Sequence, residues 1–313
     1  MRAVSASERP ASTAPRTCSP GETAFLLLPL FSVALGYGAM LPVLPGFLDR
    51  LHGASTDDAL PLHAGLLAGV YIGAFAIAAP FWGGITDRHG PRGVLLAGLV
   101  GYAAATLWLG VAGSLVAVYA LRFAAGAFAA GLVPATTASI VARCDEASRV
   151  RHLGWMSAAA IGGFLVGPAL TGWVHGLLDA SSVARTSPLH VTAVPIWATG
   201  GVALASAAGI AWRFRPSQTP FQRVDLVVQS GPAAHPGARL GILLLSALGT
   251  FGLGAFEVGL SLQSRWAWRL SPADLGWLFV TCSMVMLAIQ VLLFDRLQRQ
   301  LQPAVLVVGG FVL

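Results

Sequence analysis

The sequence contains no lysine, so all 19 of its basic residues are arginine. Charged residues of both signs occupy only 10% of the 313 positions, whereas a soluble protein carries about 25%. Together with a hydrophobic fraction of 56%, this composition excludes a soluble globular domain and predicts an integral membrane protein. The missing lysine also excludes a P-loop that binds ATP, because that loop requires a Gly-Lys-Ser or Gly-Lys-Thr sequence.

The sequence contains only three cysteines and lacks the common catalytic motifs. Cys18, Cys144 and Cys282 are isolated and lack the spacing of a metal site, so we expect free thiols, no metal and no cofactor. The sequence contains no His-Glu-x-x-His motif, no paired carboxylates and no Ser/His/Asp arrangement, which argues against an enzyme. The net charge of +6 does not indicate nucleic-acid binding, because the arginines lie in loops between apolar runs, where they can contact anionic lipid.

Long apolar runs separated by polar segments predict a bundle of membrane-spanning α-helices. Each run is long enough to cross about 30 Å of hydrocarbon at about 1.5 Å per residue. A further apolar run begins shortly before Leu313. The eight complete helices are predicted at 23–46, 64–82, 93–113, 115–142, 153–177, 191–212, 239–262 and 273–294.

Two polar segments divide the chain. Residues 1–22, rich in Ser, Pro, Thr and Arg, predict a disordered tail. Residues 213–238 contain four prolines and predict a linker between a six-helix bundle at 23–212 and an incomplete second bundle at 239–313. Most arginines fall in the tail, in the linker and in the other loops that lie on the same side of the membrane as these two segments. By the positive-inside rule, tail and linker are therefore predicted to be cytoplasmic.

A short charged segment joins the second and third predicted helices. Gly90 supplies the backbone freedom that a tight reversal needs, and Pro91 cannot continue the preceding helix. An ordinary positive-inside turn would explain the arginines. It would not explain Asp87, because topology requires no acid there. The candidate residues of this charged turn are Gly83, Asp87, Arg88, Gly90 and Arg92.

The spacing Gly-x3-Asp-Arg-x-Gly-x-Arg from Gly83 to Arg92 resembles the signature between helices 2 and 3 of the major facilitator superfamily. One departure is Pro91, where the family often has a basic residue. The resemblance implies an all-α bundle of twelve helices in the cytoplasmic membrane, which acts as a monomer and uses this turn as a conformational switch. It also implies that the last three helices, and most of the ninth, are missing from this C-terminally truncated chain.

The fifth predicted helix contains a second recognisable pattern. Its spacing resembles the signature of drug and metabolite antiporters within the superfamily, except that Thr171 replaces a glycine. Pro168 should bend this helix, and the glycines should allow a neighbouring helix to approach closely. The resemblance favours export over uptake, while the alternative is a generic kinked membrane helix. The candidate residues are Gly154, Gly163, Gly167, Pro168 and Gly172.

Three polar residues inside predicted helices are candidates for proton coupling. The surroundings of Arg122 resemble the helix-4 arginine motif of the family, which implies that role, although a snorkelling arginine is the alternative. Tyr37 lies at a comparable depth and could hydrogen-bond Arg122. Glu257 is the only carboxylate well inside a predicted helix, where a neutral carboxyl group is favoured and a proton can be exchanged near neutral pH. Alternatively, Glu257 pairs with Arg265 or another interfacial arginine.

These features lead to one hypothesis with two alternatives. The hypothesis is a secondary active transporter that couples proton movement to efflux of a small organic molecule or drug by alternating access. Its partners would be the substrate, protons and membrane lipid. The alternatives are a sugar or metabolite importer of the same fold and a truncated fragment that does not transport.

Overall fold

The computed structural model describes residues 20–52, 60–144, 146–179, 188–214, 236–289 and 292, and the regular elements within these ranges are helices. The all-α prediction is therefore confirmed. Residues 1–19 of the predicted tail at 1–22, residues 215–235 of the predicted linker at 213–238 and the last apolar run lie outside the described residues. Residues 20–22 of the predicted tail are helical, and so are residues 213 and 236–238 of the predicted linker. In chain order the helices are α1 (Pro20–His52), α2 (Leu60–His89), α3 (Pro91–Leu109), α4 (Leu115–Ala129), α5 (Leu132–Arg143), α6 (Glu146–Asp179), α7 (Pro188–Arg213), α8 (Pro236–Trp266) and α9 (Pro272–Ala288).

Six stretches of the described residues are long and apolar enough to cross a membrane. They correspond to the first six predicted helices, and α8 and α9 correspond to the seventh and eighth. An apolar stretch in α9, at Ala273–Ala288, is shorter than the six. The chain is therefore a multi-pass membrane protein. The six stretches are Gly21–Leu44, Pro61–His89, Pro91–Leu109, Leu115–Arg143, Arg151–Leu177 and Ala193–Arg213.

Several helix ends differ from the prediction. Helix α6, for example, begins at Glu146 instead of residue 153. Helix α1 continues to His52 instead of ending at residue 46, because the prolines near its end do not interrupt it; prolines are tolerated in membrane helices. Helix α2 continues to His89, seven residues beyond its predicted end. Asp87 and Arg88 of the charged turn thus belong to the last two turns of α2, and Arg92 belongs to the first turn of α3, since a helix satisfies its own backbone even where its side chains are charged.

The fourth predicted helix is broken into α4 and α5, which corrects the expectation of one continuous helix at 115–142. At the break, the Gly131 nitrogen donates to the Phe128 oxygen at 3.4 Å rather than to the Ala127 oxygen. The Ala127 oxygen instead accepts a hydrogen bond of 2.7 Å from the Trp82 indole nitrogen of α2. A side chain from a neighbouring helix therefore satisfies the carbonyl group that the break leaves free.

Buried side chains form separate clusters at the two ends of the bundle. The end that carries the charged turn, called the charged end below, contains a cluster that includes Leu26, Leu99 and Ile210. Towards the opposite end, Leu262 of α8 joins a cluster around Phe47 of α1. Helix α9 joins through a third cluster with α1. Among the described residues, α8 and α9 thus contribute to the buried clusters only away from the charged end.

Small polar side chains add hydrogen bonds between helices. The Ser32 hydroxyl of α1 and the Ser206 hydroxyl of α7 are 2.7 Å apart, and the Thr171 hydroxyl of α6 donates to the Ala39 oxygen of α1 at 2.9 Å. Such contacts matter in a membrane, because lipid gives apolar helix faces little reason to prefer one another.

The cysteines follow the prediction only in part. Cys282 is free, but Cys144 is disulfide-bonded, which corrects the expectation of a free thiol at this residue. Spacing along the sequence reveals local metal motifs, whereas a pairing between distant cysteines depends on how the chain folds. Cys18 lies outside the described residues.

Candidate functional site

The charged turn is a single-residue connection between α2 and α3. Gly90 has a φ of 82°, in a region that favours glycine, and its nitrogen donates to the Thr86 oxygen at 2.9 Å. Pro91 follows as the first residue of α3, a position where proline needs no backbone partner. The roles expected of Gly90 and Pro91 in the chain reversal are therefore confirmed.

The charges of this turn are mostly exposed. Asp87 and Arg88 are exposed, and neither forms a hydrogen bond or ion pair with any residue in the described ranges. Arg92 is half-buried, and its Nη2 donates to the Ala211 oxygen of α7 at 3.2 Å. A methyl group added at Gly83 would meet open space. The Arg92 side chain therefore connects the turn to the rest of the bundle. The carboxylate of Asp87 has no partner among the described residues.

Two glycines of the antiporter motif in α6 lie against the backbone of α1. A methyl group added at Gly167 would lie 2.5 Å from the Leu35 oxygen and the Ala39 nitrogen, and one added at Gly163 would collide with the Phe31 oxygen. The prediction that these glycines permit close helix approach is confirmed. Gly154 has no such neighbour and faces open space.

The remaining motif residues of α6 contact α9. A methyl group added at Gly276 of α9 would lie 2.5 Å from the Pro168 oxygen, and one added at Gly172 would lie 3.2 Å from the Ala273 oxygen. The sequence reasoning missed Gly276. The available signal was the pair of small residues at 273 and 276, which are three positions apart and therefore lie on one face of a helix, where small side chains permit close approach.

Tyr37 and Glu257 are directly connected, although they are separated by 220 positions in the chain. The Tyr37 hydroxyl of α1 donates to Glu257 Oε2 of α8 at 2.9 Å. Only 5% of Glu257 is exposed. The structure thus assigns Tyr37 a different partner from the suggested Arg122. No described arginine pairs with Glu257, while the side chain of Arg265 lies outside the described residues.

Arg122 is buried in α4, with 8% of its surface exposed, so it does not snorkel to the membrane surface in this conformation. Its guanidinium carbon lies 5.9 Å from the ring centroid of Tyr71, a cation–π distance. The ring of Tyr71 in turn lies 5.7 Å from that of Tyr37. Arg122 forms no hydrogen bond with any residue in the described part of the chain, and its Nε is buried without a partner.

Two small cavities meet at Arg122. Three of the four tyrosines in the chain line them, a grouping that the sequence reasoning missed although tyrosine inside an apolar run was visible. The first cavity lies between α1, α2, α4 and α8 and is lined by Tyr37, Met40, Leu41, Leu44, Leu67, Ala68, Tyr71, Arg122 and Val258. The second lies between α1, α3, α4 and α7 and is lined by Gly36, Ala39, Met40, Tyr102, Thr106, Leu109, Arg122, Ala125, Ile196 and Thr199.

The described ranges contain no group of three or more His, Cys, Asp and Glu residues that could hold a metal ion. The polar groups at the centre are instead one guanidinium, one carboxyl group and several hydroxyls. Such a set can bind ions or exchange protons inside a membrane bundle.

A multi-pass helical bundle with a buried arginine and a buried glutamate belongs to the general class of polytopic transport proteins. The family profile of the Major Facilitator Superfamily matches residues 26–313. The chain belongs to this family, which confirms the resemblance drawn from the charged turn. The family and its fold are those of membrane transporters, so the chain is not an enzyme.

Similar proteins include several with resistance names. Multidrug resistance protein 2 of Bacillus subtilis (strain 168) is 28% identical over 286 residues, which cover 88% of this chain and 66% of that protein. Tetracycline resistance protein, class B, of Escherichia coli is 35% identical over 162 residues, covering 51% of this chain and 38% of that protein. The chain therefore spans about two thirds of the length of the Bacillus relative.

A solved structure shares the fold. It is a bacterial homologue of the human lysosomal transporter Spinster, in an inward-facing and unoccupied conformation. The match has a TM-score of 0.65 and 15% sequence identity, and it covers 91% of this chain and 65% of that one. The likeness extends to the fold, which is a major facilitator bundle.

Proposed function

We propose that this protein exports a small organic molecule in exchange for protons, as a secondary active transporter that works by alternating access. The observation that carries the proposal is the hydrogen bond between Tyr37 and Glu257. It places a buried carboxyl group at the contact between the predicted first bundle (23–212) and the predicted second bundle (239–313). The resistance names of the relatives support export and a small-molecule substrate.

Protonation of Glu257 would change the strength of this contact. An ionised carboxylate accepts a charge-assisted hydrogen bond from the Tyr37 hydroxyl, whereas a protonated carboxyl group forms a weaker one. The contact between α1 and α8 therefore favours the present conformation most when Glu257 is ionised. Proton binding would then shift the equilibrium between inward-open and outward-open states, as linkage requires. Arg122 lines the cavity beside Tyr37 and would respond to the same change in charge.

The arrangement of the helices supports an inward-facing state. Helices α8 and α9 join the described buried clusters away from the charged end, as expected if the space between the two bundles opens towards that end. We place the charged end in the cytoplasm, with the N-terminus and the linker at 213–238, because most arginines lie there. The protein would act as a monomer in the cytoplasmic membrane, in contact with lipid.

The charged turn fits the role of a switch in this scheme. Asp87 is exposed and forms no ion pair with a described residue, so it is free to bind a partner in another conformation. The motif of α6 contacts α1 through Gly163 and Gly167 and contacts α9 through Pro168. Closing and opening would then occur at the contact between α6 and α9, while the contact between α6 and α1 stays fixed.

The test is transport by the reconstituted chain in liposomes with an imposed pH gradient and a panel of lipophilic fluorescent cations. We expect gradient-dependent flux that Glu257→Gln abolishes at equal protein content. The matched control is Asp274→Asn, an isosteric change at an exposed acid that caps α9, and it should retain the flux.

Flux that persists in Glu257→Gln would contradict the role of this residue. Substrate movement in the same direction as protons would indicate the importer, and no flux in the wild type would indicate the non-transporting alternative.

A further inference from the structure

Arg122 carries a positive charge that no described residue balances. Its guanidinium remains protonated at any physiological pH, and it lies in the membrane-spanning part of α4 with 8% exposure. Its Nε is buried and has no hydrogen-bond partner. A buried charge without a partner is strongly unfavourable, so the site needs a negative group.

The acids whose side chains are described do not provide that group. Among the acids whose side chains are described, Glu257 binds Tyr37, and Glu22 pairs with Arg213 at 3.4 Å. Asp87 and Asp274 are exposed. Tyr71 offers only its aromatic ring to the guanidinium, and this cation–π contact does not neutralise a full charge.

The cavity between α1, α3, α4 and α7 provides hydrogen-bond donors next to this charge. Its polar lining consists of Arg122, Tyr102, Thr106 and Thr199. The Thr199 hydroxyl donates to the Ile196 oxygen at 2.8 Å, so its hydrogen is already used. Tyr102 and Thr106 lie one turn apart in α3 and both line the cavity. The Tyr102 hydroxyl forms no hydrogen bond to an acceptor in the described part of the chain, so its hydrogen is available to an occupant of the cavity.

The position of Tyr102 depends on a glycine. A methyl group added at Gly36 of α1 would collide with the Tyr102 hydroxyl and lie 3.6 Å from the Thr199 Cβ. Gly36 thus leaves the room that allows the Tyr102 hydroxyl to reach the wall formed by α1. The cavity itself has room for about one water-sized occupant. A monatomic ion fits such a space, and a polyatomic anion such as sulfate or gluconate does not.

We propose that this cavity binds one small monovalent anion, with chloride as the probe ligand, which acts as the counter-ion of Arg122. The guanidinium supplies the charge and Tyr102 donates a hydrogen bond. A water molecule would fill the same space without neutralising Arg122, and this is the competing outcome. The inference does not depend on the proposed transport activity, and its test requires none.

The first test is thermal unfolding of the purified chain in detergent, with chloride replaced stepwise by gluconate at constant ionic strength. We expect the melting temperature to rise with chloride and to saturate, as binding to the folded state requires. Tyr102→Phe should weaken the apparent chloride affinity about threefold to tenfold, which is the value of one hydrogen bond. Arg122→Gln should abolish the chloride dependence.

The matched control is Tyr119→Phe. Tyr119 lies in the same helix as Arg122 but bonds His63 at 2.9 Å, outside the cavity, so its chloride dependence should equal that of the wild type. If gluconate stabilises the chain as well as chloride does, or if Tyr102→Phe and Tyr119→Phe have equal affinities, the proposal is wrong. This comparison remains valid even if Arg122→Gln does not fold.

The second test is direct observation of the ion. Crystals of the chain soaked in bromide should show an anomalous peak beside the Arg122 guanidinium, and Tyr102→Phe should reduce its occupancy. A cavity with ordinary water density and no anomalous peak would show that it contains water only, and would overturn the proposal.

Discussion

The two motifs that identified the family use glycine for different physical reasons. In α6, Gly163 and Gly167 lie against the backbone of α1, where any side chain would collide. In the charged turn, Gly83 lies in a helix beside open space, and only Gly90 has a backbone conformation that requires glycine. A glycine in a motif can thus serve helix contact, chain reversal or a purpose that this conformation does not reveal.

The comparison also separates fixed contacts from available ones. Apart from the exposed Gly154, the α6 motif is buried between α1 and α9, whereas the charged turn exposes Asp87 and Arg88 at the charged end. Substitutions in α6 should therefore act through packing and change stability and transport together. Substitutions at the exposed acid should change transport while stability stays the same. The following predictions test this division.

The largest effect is expected for Gly167→Leu. The added side chain would have to displace the backbone of α1 near Leu35 and Ala39, and overfilling a packed contact costs about 1–3 kcal/mol or more. We expect a lower melting temperature and loss of transport in liposomes. Gly162→Leu is the matched control, because Gly162 lies in the same helix with open space around it. Equal behaviour of the two variants would show that the α1–α6 contact tolerates separation.

Asp87→Asn should have the next largest effect. We expect transport to fall several-fold while membrane abundance and melting temperature match the wild type, because the carboxylate has no described partner to lose in this conformation. The measurement is initial flux normalised to protein content. Wild-type flux would leave the turn with a topological role only. A large loss of stability would instead reveal a bond that Asp87 makes in the folded state.

Gly90→Ala should destabilise the chain by roughly 1–3 kcal/mol, because Gly90 has φ 82° and ψ 161°, a backbone region that is essentially restricted to glycine. The measurement is the free energy of unfolding in denaturant, with Gly93→Ala as control, since Gly93 lies three residues further on, in α3, and faces open space. If the two variants have the same stability, Gly90 is not needed for the reversal.

The smallest effect is expected for Gly83→Ala. Alanine is the better helix former, by as much as about 1 kcal/mol, and the added methyl group meets no atom within 4 Å. The free energy of unfolding should therefore stay the same or rise slightly. A transport defect at unchanged stability would sharpen the comparison, because it would show that Gly83 makes a close contact in another conformation.

Sequence reasoning correctly predicted the structural features that depend on a single short segment of the chain. Apolar runs predicted the helices, and Gly90 with Pro91 predicted the reversal that the structure contains. The glycines of α6 correctly indicated a close helix contact. In each case the information lies in a few neighbouring residues and in the general demands of a membrane.

The same reasoning failed where distant segments meet. Tyr37 is a partner of Glu257 and not of Arg122, because the choice depends on how α1, α4 and α8 rotate about their axes. The break at Gly131 and the bond of Cys144 were missed for a related reason. Each involves a contact with a part of the chain whose position no local pattern specifies.

The hydrogen bond from Trp82 to the Ala127 oxygen connects the charged turn mechanically to the centre of the bundle. Trp82 lies directly before Gly83 in α2, and Ala127 is about 7.5 Å along α4 from Arg122. When the last two turns of α2 tilt, the indole must either pull α4 along or release the carbonyl at the break. The Trp82 indole therefore couples movement of the charged turn to a position in α4 that lies five residues from Arg122.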